Sequence, residues 1–169
     1  MRALGDPVLD DVDRRTLADT VHALDDTFPR GGNYHLGARI LPGLTGQAID
    51  AFLASAEAMP ATCMLNVHHA HGAATRVPVN QTAYAYRDEH LVVEIIGTWA
   101  GGDGAAESAW VHDTERRLDA HALAGGWANL MARGDQRARD AYGINTGRLL
   151  AVKSQYDPDG VFTAIPLPR

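Results

Sequence analysis

The sequence holds one cysteine and one lysine, Cys63 and Lys153. A single cysteine leaves no disulfide framework and no cysteine metal cluster. Cys63 sits in the apolar run Cys63-Met64-Leu65, where a buried, inert thiol is expected. No apolar run approaches the ~20 residues that span a bilayer. The stretch Met1-Arg2-Ala3-Leu4-Gly5-Asp6-Pro7 has no apolar signal-peptide core. A cytoplasmic location without a membrane partner is therefore the expectation. Cations are outnumbered, 15 against 21 anions, for a formal charge of -6 and a pI near 5.7. A nucleic-acid partner is excluded on that ground, because phosphate-backbone binding needs a basic patch. Also missing are a Gly-x-Ser-x-Gly nucleophile elbow, a Cys–His signature, and the Gly-x-Gly-x-x-Gly and Gly-x-x-x-x-Gly-Lys phosphate loops. The pairs Gly31-Gly32, Gly101-Gly102 and Gly125-Gly126 lack the strand-to-helix setting of such loops.

What is present suits a soluble globular chain with a proper core: 169 residues, 46% hydrophobic and 21% charged. Pro7 and the Asp10-Asp11-Val12-Asp13 cluster predict an extended entry, and Thr16 to Leu24 a short helix bearing Leu17, Val21 and Leu24 on one face. Pro29-Arg30-Gly31-Gly32 is a break, followed by a strand from Tyr34 to Leu41. Thr45 to Met59 reads as an amphipathic helix with Thr45 as N-cap, Ile49, Phe52, Leu53, Ala56 and Met59 on one face, and Pro60 as its stop. Alternation of Cys63, Leu65 and Val67 with polar neighbours predicts a strand, and a second short one follows Gly72 through Val77. Thr82-Ala83-Tyr84-Ala85-Tyr86-Arg87 and Leu91 to Ile96 read as a hairpin around Asp88-Glu89-His90. From Ala105 to His121 the spacing predicts a helix with Ala106, Trp110, Thr114 and Leu118 inward and Glu107, Asp113, Glu115, Arg116 and Arg117 outward. Arg133 to Asp140 reads as a solvated helical face. Near the end, Asn145 or Thr146 is the expected cap of a helix carrying Leu149, Val152 and Tyr156 on one face. Asp157-Pro158-Asp159-Gly160 is suited to a type I turn that stops it. The order of elements favours an α+β fold, with an antiparallel sheet of about four to seven strands and helices packed on one face.

Four side chains on the expected sheet attract chemical interest. On a strand His69 and His71 point the same way, exposed or lining a cavity; no third ligand stands at metal-site spacing, and no metal is expected. Tyr84 and Tyr86 share a strand face with Arg87 on the other; each is either a buried tyrosine with a satisfied hydroxyl or part of a pocket. Trp99 and Trp110 are expected in the core.

The order Tyr142-Gly143-x-Asn145-x-x-Arg148-Leu149-x-x-x-Lys153-x-x-Tyr156-Asp157-Pro158-Asp159-x-x-Phe162 resembles the C-terminal signature of berberine-bridge-enzyme-like, FAD-linked oxidases. Gly72-Ala73-Ala74-Thr75-Arg76-Val77, Thr82-Ala83-Tyr84-Ala85-Tyr86-Arg87, Trp99 and Gly125-Gly126-Trp127-Ala128-Asn129 are similar to further family segments in the family's order. The resemblance covers roughly residues 33–162. It implies a substrate-binding domain over 1–140 and, over 141–169, a segment that returns to an FAD domain. The FAD domain itself is unmatched, so the expectation is a partial chain or one half of a split enzyme. Its partners would be a small-molecule substrate and a separate FAD-binding domain or subunit.

The implied reaction is hydride transfer from an alcohol, amine or sugar-like carbon to FAD, with O2 as acceptor. The alternative is a non-enzymatic interaction module derived from that domain. Trp127 and Asn129 are the residues implied to lie near the flavin. Many relatives place a proton-removing tyrosine there, and Trp127 cannot serve, since an indole N–H only donates. Tyr84, Tyr86, His69 or His71 would take that role, histidine having a suitable ordinary pKa. After Asp159 the sequence reads Gly160-Val161-Phe162-Thr163-Ala164-Ile165-Pro166, where relatives read Asn-x-Phe-Arg-x-Asn, leaving that segment an apolar packing role.

Overall fold

The computed structural model describes residues 13–23, 25, 31–131, 134–163 and 167. The acidic cluster at Asp10 to Val12, Leu24, Pro29-Arg30, Arg133 and Ala164 to Pro166 lie outside them. The chain forms two compact units, Met1–Gly32 and Asn33–Arg169. In the first, α1 (Leu17–His22) starts at Thr16, whose hydroxyl accepts the Asp19 N–H, the usual way an orphan helix donor is satisfied.

The second unit is built on a sheet of β1 (Asn33–Leu41), β2 (Met64–Ala70) and β3 (His90–Trp99). The order is β1-β3-β2 and both pairings are antiparallel. The α+β reading holds, but with three strands among the described residues rather than four to seven. Residues 74–76 form a 3-10 turn in place of the strand expected through Val77. Residues 82–87 are irregular, so the expected hairpin keeps only its second arm. Side-chain bonds to its backbone keep this segment out of strand pairing: Asn145 Nδ2 donates to the carbonyls of Val79 (2.8 Å) and Ala83 (3.5 Å). Arg87 bridges the Ala74 carbonyl at 3.1 Å and the Thr82 hydroxyl at 2.5 Å.

Cross-strand partners share a sheet face, so the register sorts the side chains. Leu41, Leu91, Val93, Ile95 and Leu65 lie on one face and join Cys63, Trp110, Val111 and Leu118 in the core. Helices α2 (Gly46–Glu57) and α3 (Ala105–Asp119) cover that face. Thr45 caps α2 as expected, accepting the Ala48 N–H. The buried face of α2 is nevertheless Ala48 and Ser55 flanked by Ala51 and Phe52, while Ile49, Leu53, Ala56 and Met59 are exposed. Trp110 explains the rotation: its indole Nε1 donates to the Ser55 carbonyl at 2.9 Å, and small residues let the helices approach. Trp110 is core, as expected, and so is Cys63, whose thiol burial pushes above its ordinary pKa. Gly97 admits α3 to the sheet, since a Cβ there would stand 3.2 Å from the Glu107 carbonyl oxygen and 3.1 Å from Val111.

Two expectations for α3 fail. Ala106 is exposed, and Glu115 turns back to the sheet. There it meets Arg39, which is 6% exposed. Arg39 Nη1 lies 2.7 Å from Glu115 Oε1 and donates to the Ala38 carbonyl at 2.8 Å, while Nε reaches Asp119 Oδ1 at 2.5 Å. The charge is thus taken into the interior already paired, as such burial requires.

On the opposite face Ala38, Ile40, Val92, Ile96 and His90 are buried under non-helical chain. The Leu123 N–H donates to the Ile40 carbonyl at 2.8 Å, and Arg137 Nη1 donates to the Ala38 carbonyl at 3.1 Å. The stretch expected as a solvated helical face is a 3-10 turn, Gln136–Arg139, with Ala138 buried.

Helix α4 (Thr146–Tyr156) starts without a side-chain cap; the Asn145 side chain is turned to the 79–83 loop, where its Nδ2 donates. Arg148 adds a bond to the Asn80 carbonyl at 3.0 Å. The Asp-Pro stop is present, the Gly160 N–H donating to the Asp157 carbonyl at 3.1 Å. Asp157 does more than turn the chain. Its carboxylate accepts from Lys153 and from the N–H groups of Val161 (2.8 Å) and Phe162 (3.1 Å), and Lys153 Nζ donates to the Phe162 carbonyl at 2.6 Å. The Lys153 hydrogen bond is the largest of the effects that hold this carboxyl below its ordinary range. A depressed carboxyl pKa contributes stability above the unfolded value, and that stability is lost as pH falls through the folded one. Amide protection at Val161 and Phe162 is therefore expected to drop as pH falls below about 4, and at neutral pH in Asp157→Asn, as read by hydrogen exchange. Protection unchanged in the variant would contradict the lock.

Candidate active site

Tyr84, Tyr86, His90 and Trp127 converge on the non-helical side of the sheet. Ring centroids of Tyr84 and Tyr86 lie 5.7 Å apart, edge to face, and those of Tyr84 and Trp127 5.8 Å apart. Both tyrosines stand 6.2 Å from the His90 ring. The Arg87 guanidinium carbon lies 5.1 Å over the Tyr84 ring, on the same side and not opposite as expected from a strand. Such edge-to-face and cation–π geometry fixes ring orientation as well as adding burial.

The two phenols are used differently. Tyr86 Oη donates to the carbonyls of Ala124 and Asp140, the latter at 3.2 Å, and so ties together two segments far apart in sequence. Gly125 makes room for it. A Cβ there would press on the Tyr86 hydroxyl and stand 2.6 Å from the Asp140 carbonyl carbon, at a left-handed φ of 76°. Tyr84 Oη instead faces an imidazole, 2.8 Å from His90 Nε2. His90 Nδ1 lies 2.7 Å from the Asp88 carbonyl, and the ring is 3% exposed. Burial raises the pKa of both phenols. For Tyr84 the Arg87 charge pulls the other way; for Tyr86 the Asp140 carboxylate adds to the rise. Both hydroxyls are neutral donors at physiological pH.

Trp127 is 38% exposed and precedes a 3-10 turn, Ala128–Leu130, that presents Asn129 to solvent. Arg137 pins this segment, donating to the Gly125 carbonyl at 3.5 Å as well as to β1. His69 and His71 are stacked with centroids 4.4 Å apart, and His69 Nε2 lies 2.7 Å from Glu89 Oε1. His69 pairs in register with Leu91, on the helix-covered face, whereas Ala70 pairs with His90. The structure thus gathers Tyr84, Tyr86 and Trp127 and sets His69 and His71 apart from them. Among the described residues no group of three metal-ligating side chains is assembled. His90, which the sequence showed only as a turn residue, is the new member. Its one sequence signal is its parity with Val92, two residues along the same strand face.

Comparison with known proteins shows what this chain is similar to. Residues 113–165 match the family model described as "Berberine and berberine like". The chain is 33% identical over 94 residues to the Bacillus subtilis protein named "Uncharacterized FAD-linked oxidoreductase YgaK", and 28% identical over 92 residues to "Uncharacterized FAD-linked oxidoreductase YvdP" of the same organism; each alignment spans 54% of this chain. The matches span 20% and 21% of those relatives, so the chain corresponds to about a fifth of their length. Among solved structures, the fold matches Physcomitrella patens BBE-like 1 (TM-score 0.70, 19% identity) and a chitooligosaccharide oxidase (TM-score 0.68, 20% identity). Each covers 82% of this chain, which spans 31% and 33% of theirs. Within the described residues no helix is long and apolar enough to cross a membrane. The resemblance first carried by the Tyr-Asp-Pro block and its companion segments is borne out: the chain is similar to berberine-bridge-enzyme-like, FAD-linked oxidoreductases in its family-model match, in sequence over about half its length and in fold.

Proposed function

We propose that this chain is the substrate-binding, flavin-covering part of a cytoplasmic FAD-dependent oxidoreductase, acting with a separate FAD-binding domain or subunit. The carrying observation is the Tyr84–Trp127 pair, with Trp127 open to solvent beside the exposed Asn129. That donor set fits the ring end of a flavin. An exposed indole offers a flat π-surface, and an amide offers both donors and an acceptor to a ring edge. An acidic chain of charge -6 is a poor holder of a pyrophosphate, so that end is assigned to the partner. Bound there, FAD supplies the two-electron acceptor for a hydride from an alcohol, amine or sugar-like carbon, with O2 as final acceptor.

This chain orients the substrate and accepts its proton. Tyr84 is the residue we assign to that step, since Tyr86 is committed to two backbone carbonyls. His69 and His71 are the alternative bases, from the end of β2.

A second reading, a non-enzymatic interaction module, is favoured by one observation. Val152, Tyr156, Val161 and Phe162 form an exposed apolar row on α4 and the tail, Phe162 being 77% exposed. Both readings use this row for docking; they differ in whether a flavin comes to lie against Trp127. Co-expression with the FAD-binding remainder of the YgaK relative separates them. The expected result is a yellow complex whose flavin is lost in Trp127→Ala. A colourless complex supports the module reading, and an isolated chain that purifies with bound flavin contradicts the need for a partner.

A further inference from the structure

We infer that His90 is the proton acceptor behind Tyr84, a positioning residue that acts through the phenol and never touches substrate. The inference deepens the reading just given and rests on it. The hydrogen-bond directions follow from chemistry. The Asp88 carbonyl can only accept, so His90 Nδ1, 2.7 Å away, carries the proton. A neutral imidazole has one N–H, which leaves a lone pair on Nε2. Tyr84 Oη, 2.8 Å from Nε2, is then the donor, and its remaining lone pairs are free for a substrate proton. The phenol sits beside Trp127, where the flavin-proximal surface is placed, while His90 is 3% exposed and shielded from bulk water.

The transfer balances without redox change in this chain. As the substrate O–H or N–H bond breaks, its proton bonds to Tyr84 Oη. The Tyr84 O–H proton passes to His90 Nε2, whose new N–H bond makes the ring an imidazolium. The Asp88 carbonyl stabilises it through the Nδ1–H bond. The proton later leaves by the same path. The phenol thus serves as a base without ever holding a full negative charge, which matters because burial disfavours a phenolate. Arg87 lies over the Tyr84 ring and Tyr86 packs at its edge, and both tyrosine rings stand 6.2 Å from His90.

The test has two arms. In the isolated full chain, labelled with nitrogen-15, two-bond imidazole spectra are expected to show His90 protonated at Nδ1 and bare at Nε2. Tyr84→Phe should shift the Nε2 resonance and leave the other histidines in place. The opposite tautomer, or a His90 signal indifferent to Tyr84→Phe, overturns the relay. In the complex with the FAD-binding remainder of YgaK, His90→Gln keeps an acceptor for the phenol but cannot take its proton. Substrate-driven flavin reduction should slow by about 10²–10⁴-fold with flavin still bound. In His90→Ala, added imidazole should restore part of the rate. Wild-type rates in His90→Gln overturn the relay alone. A wild-type chain that forms no flavoprotein overturns the parent reading, and the relay with it.

Discussion

Arg39→Ala is expected to lower the free energy of unfolding by about 3–5 kcal/mol, as measured in urea. The reason lies in what remains. Glu115, whose side chain is 18% exposed, would keep its charge beneath the sheet without the guanidinium it faces at 2.7 Å. Asp119 is 51% exposed and can turn to water, so it contributes little to the loss. The Ala38 carbonyl also loses a donor, while it keeps its bond from Arg137. Pairing Arg39→Met with Glu115→Gln removes the stranded charge and restores apolar volume, and should recover most of the deficit. A double variant as unstable as Arg39→Ala would show that the ion pair is not the cause.

Gly125→Ala is the second large effect. The left-handed φ costs a residue with a Cβ roughly 1–2 kcal/mol, and overpacking adds about 1–3 kcal/mol. The added methyl has nowhere to go, since one neighbour is the Tyr86 hydroxyl and another is the Asp140 backbone at 2.6 Å. Strain released by expelling Tyr86 would break the clamp between residues 124 and 140 and disturb the packing of Tyr84. Calorimetry should show a lower unfolding temperature, with the near-ultraviolet aromatic signal weakened before global unfolding. If Gly125→Ala melts like the parent, the clamp is not part of the core structure.

How much of this was legible beforehand differs by element. Local chemistry read correctly: Thr45 caps α2, Asp157-Pro158-Asp159-Gly160 stops α4, and Trp110 and Cys63 are buried. Packing faces read less well. In α2 the bulky residues Ile49 and Leu53 marked the expected buried side, yet close approach to Trp110 selected Ala48 and Ser55 instead. Periodicity weighs size, whereas tight helix contacts favour small side chains. Alternation in Thr82–Arg87 looked like a strand because tyrosines favour strands. Bonds from Asn145, more than 60 positions away, decided otherwise. The site divides along the same line. Tyr84, Tyr86 and Trp127 were recognised from a family pattern, but the Tyr84–His90 contact depends on how an irregular segment folds back onto β3, which no local spacing encodes.

The lock at the end of α4 also determines where the protein can be modified. Lys153 is the one lysine of the chain, and its amine is held by Asp157 and by the Phe162 carbonyl. Acylation, cross-linking or surface immobilisation through a lysine must take that amine from both partners at once. A tag attached by lysine chemistry would therefore mark a molecule whose apolar row at Val161 and Phe162 has been released from the helix, not a neutral point on the surface.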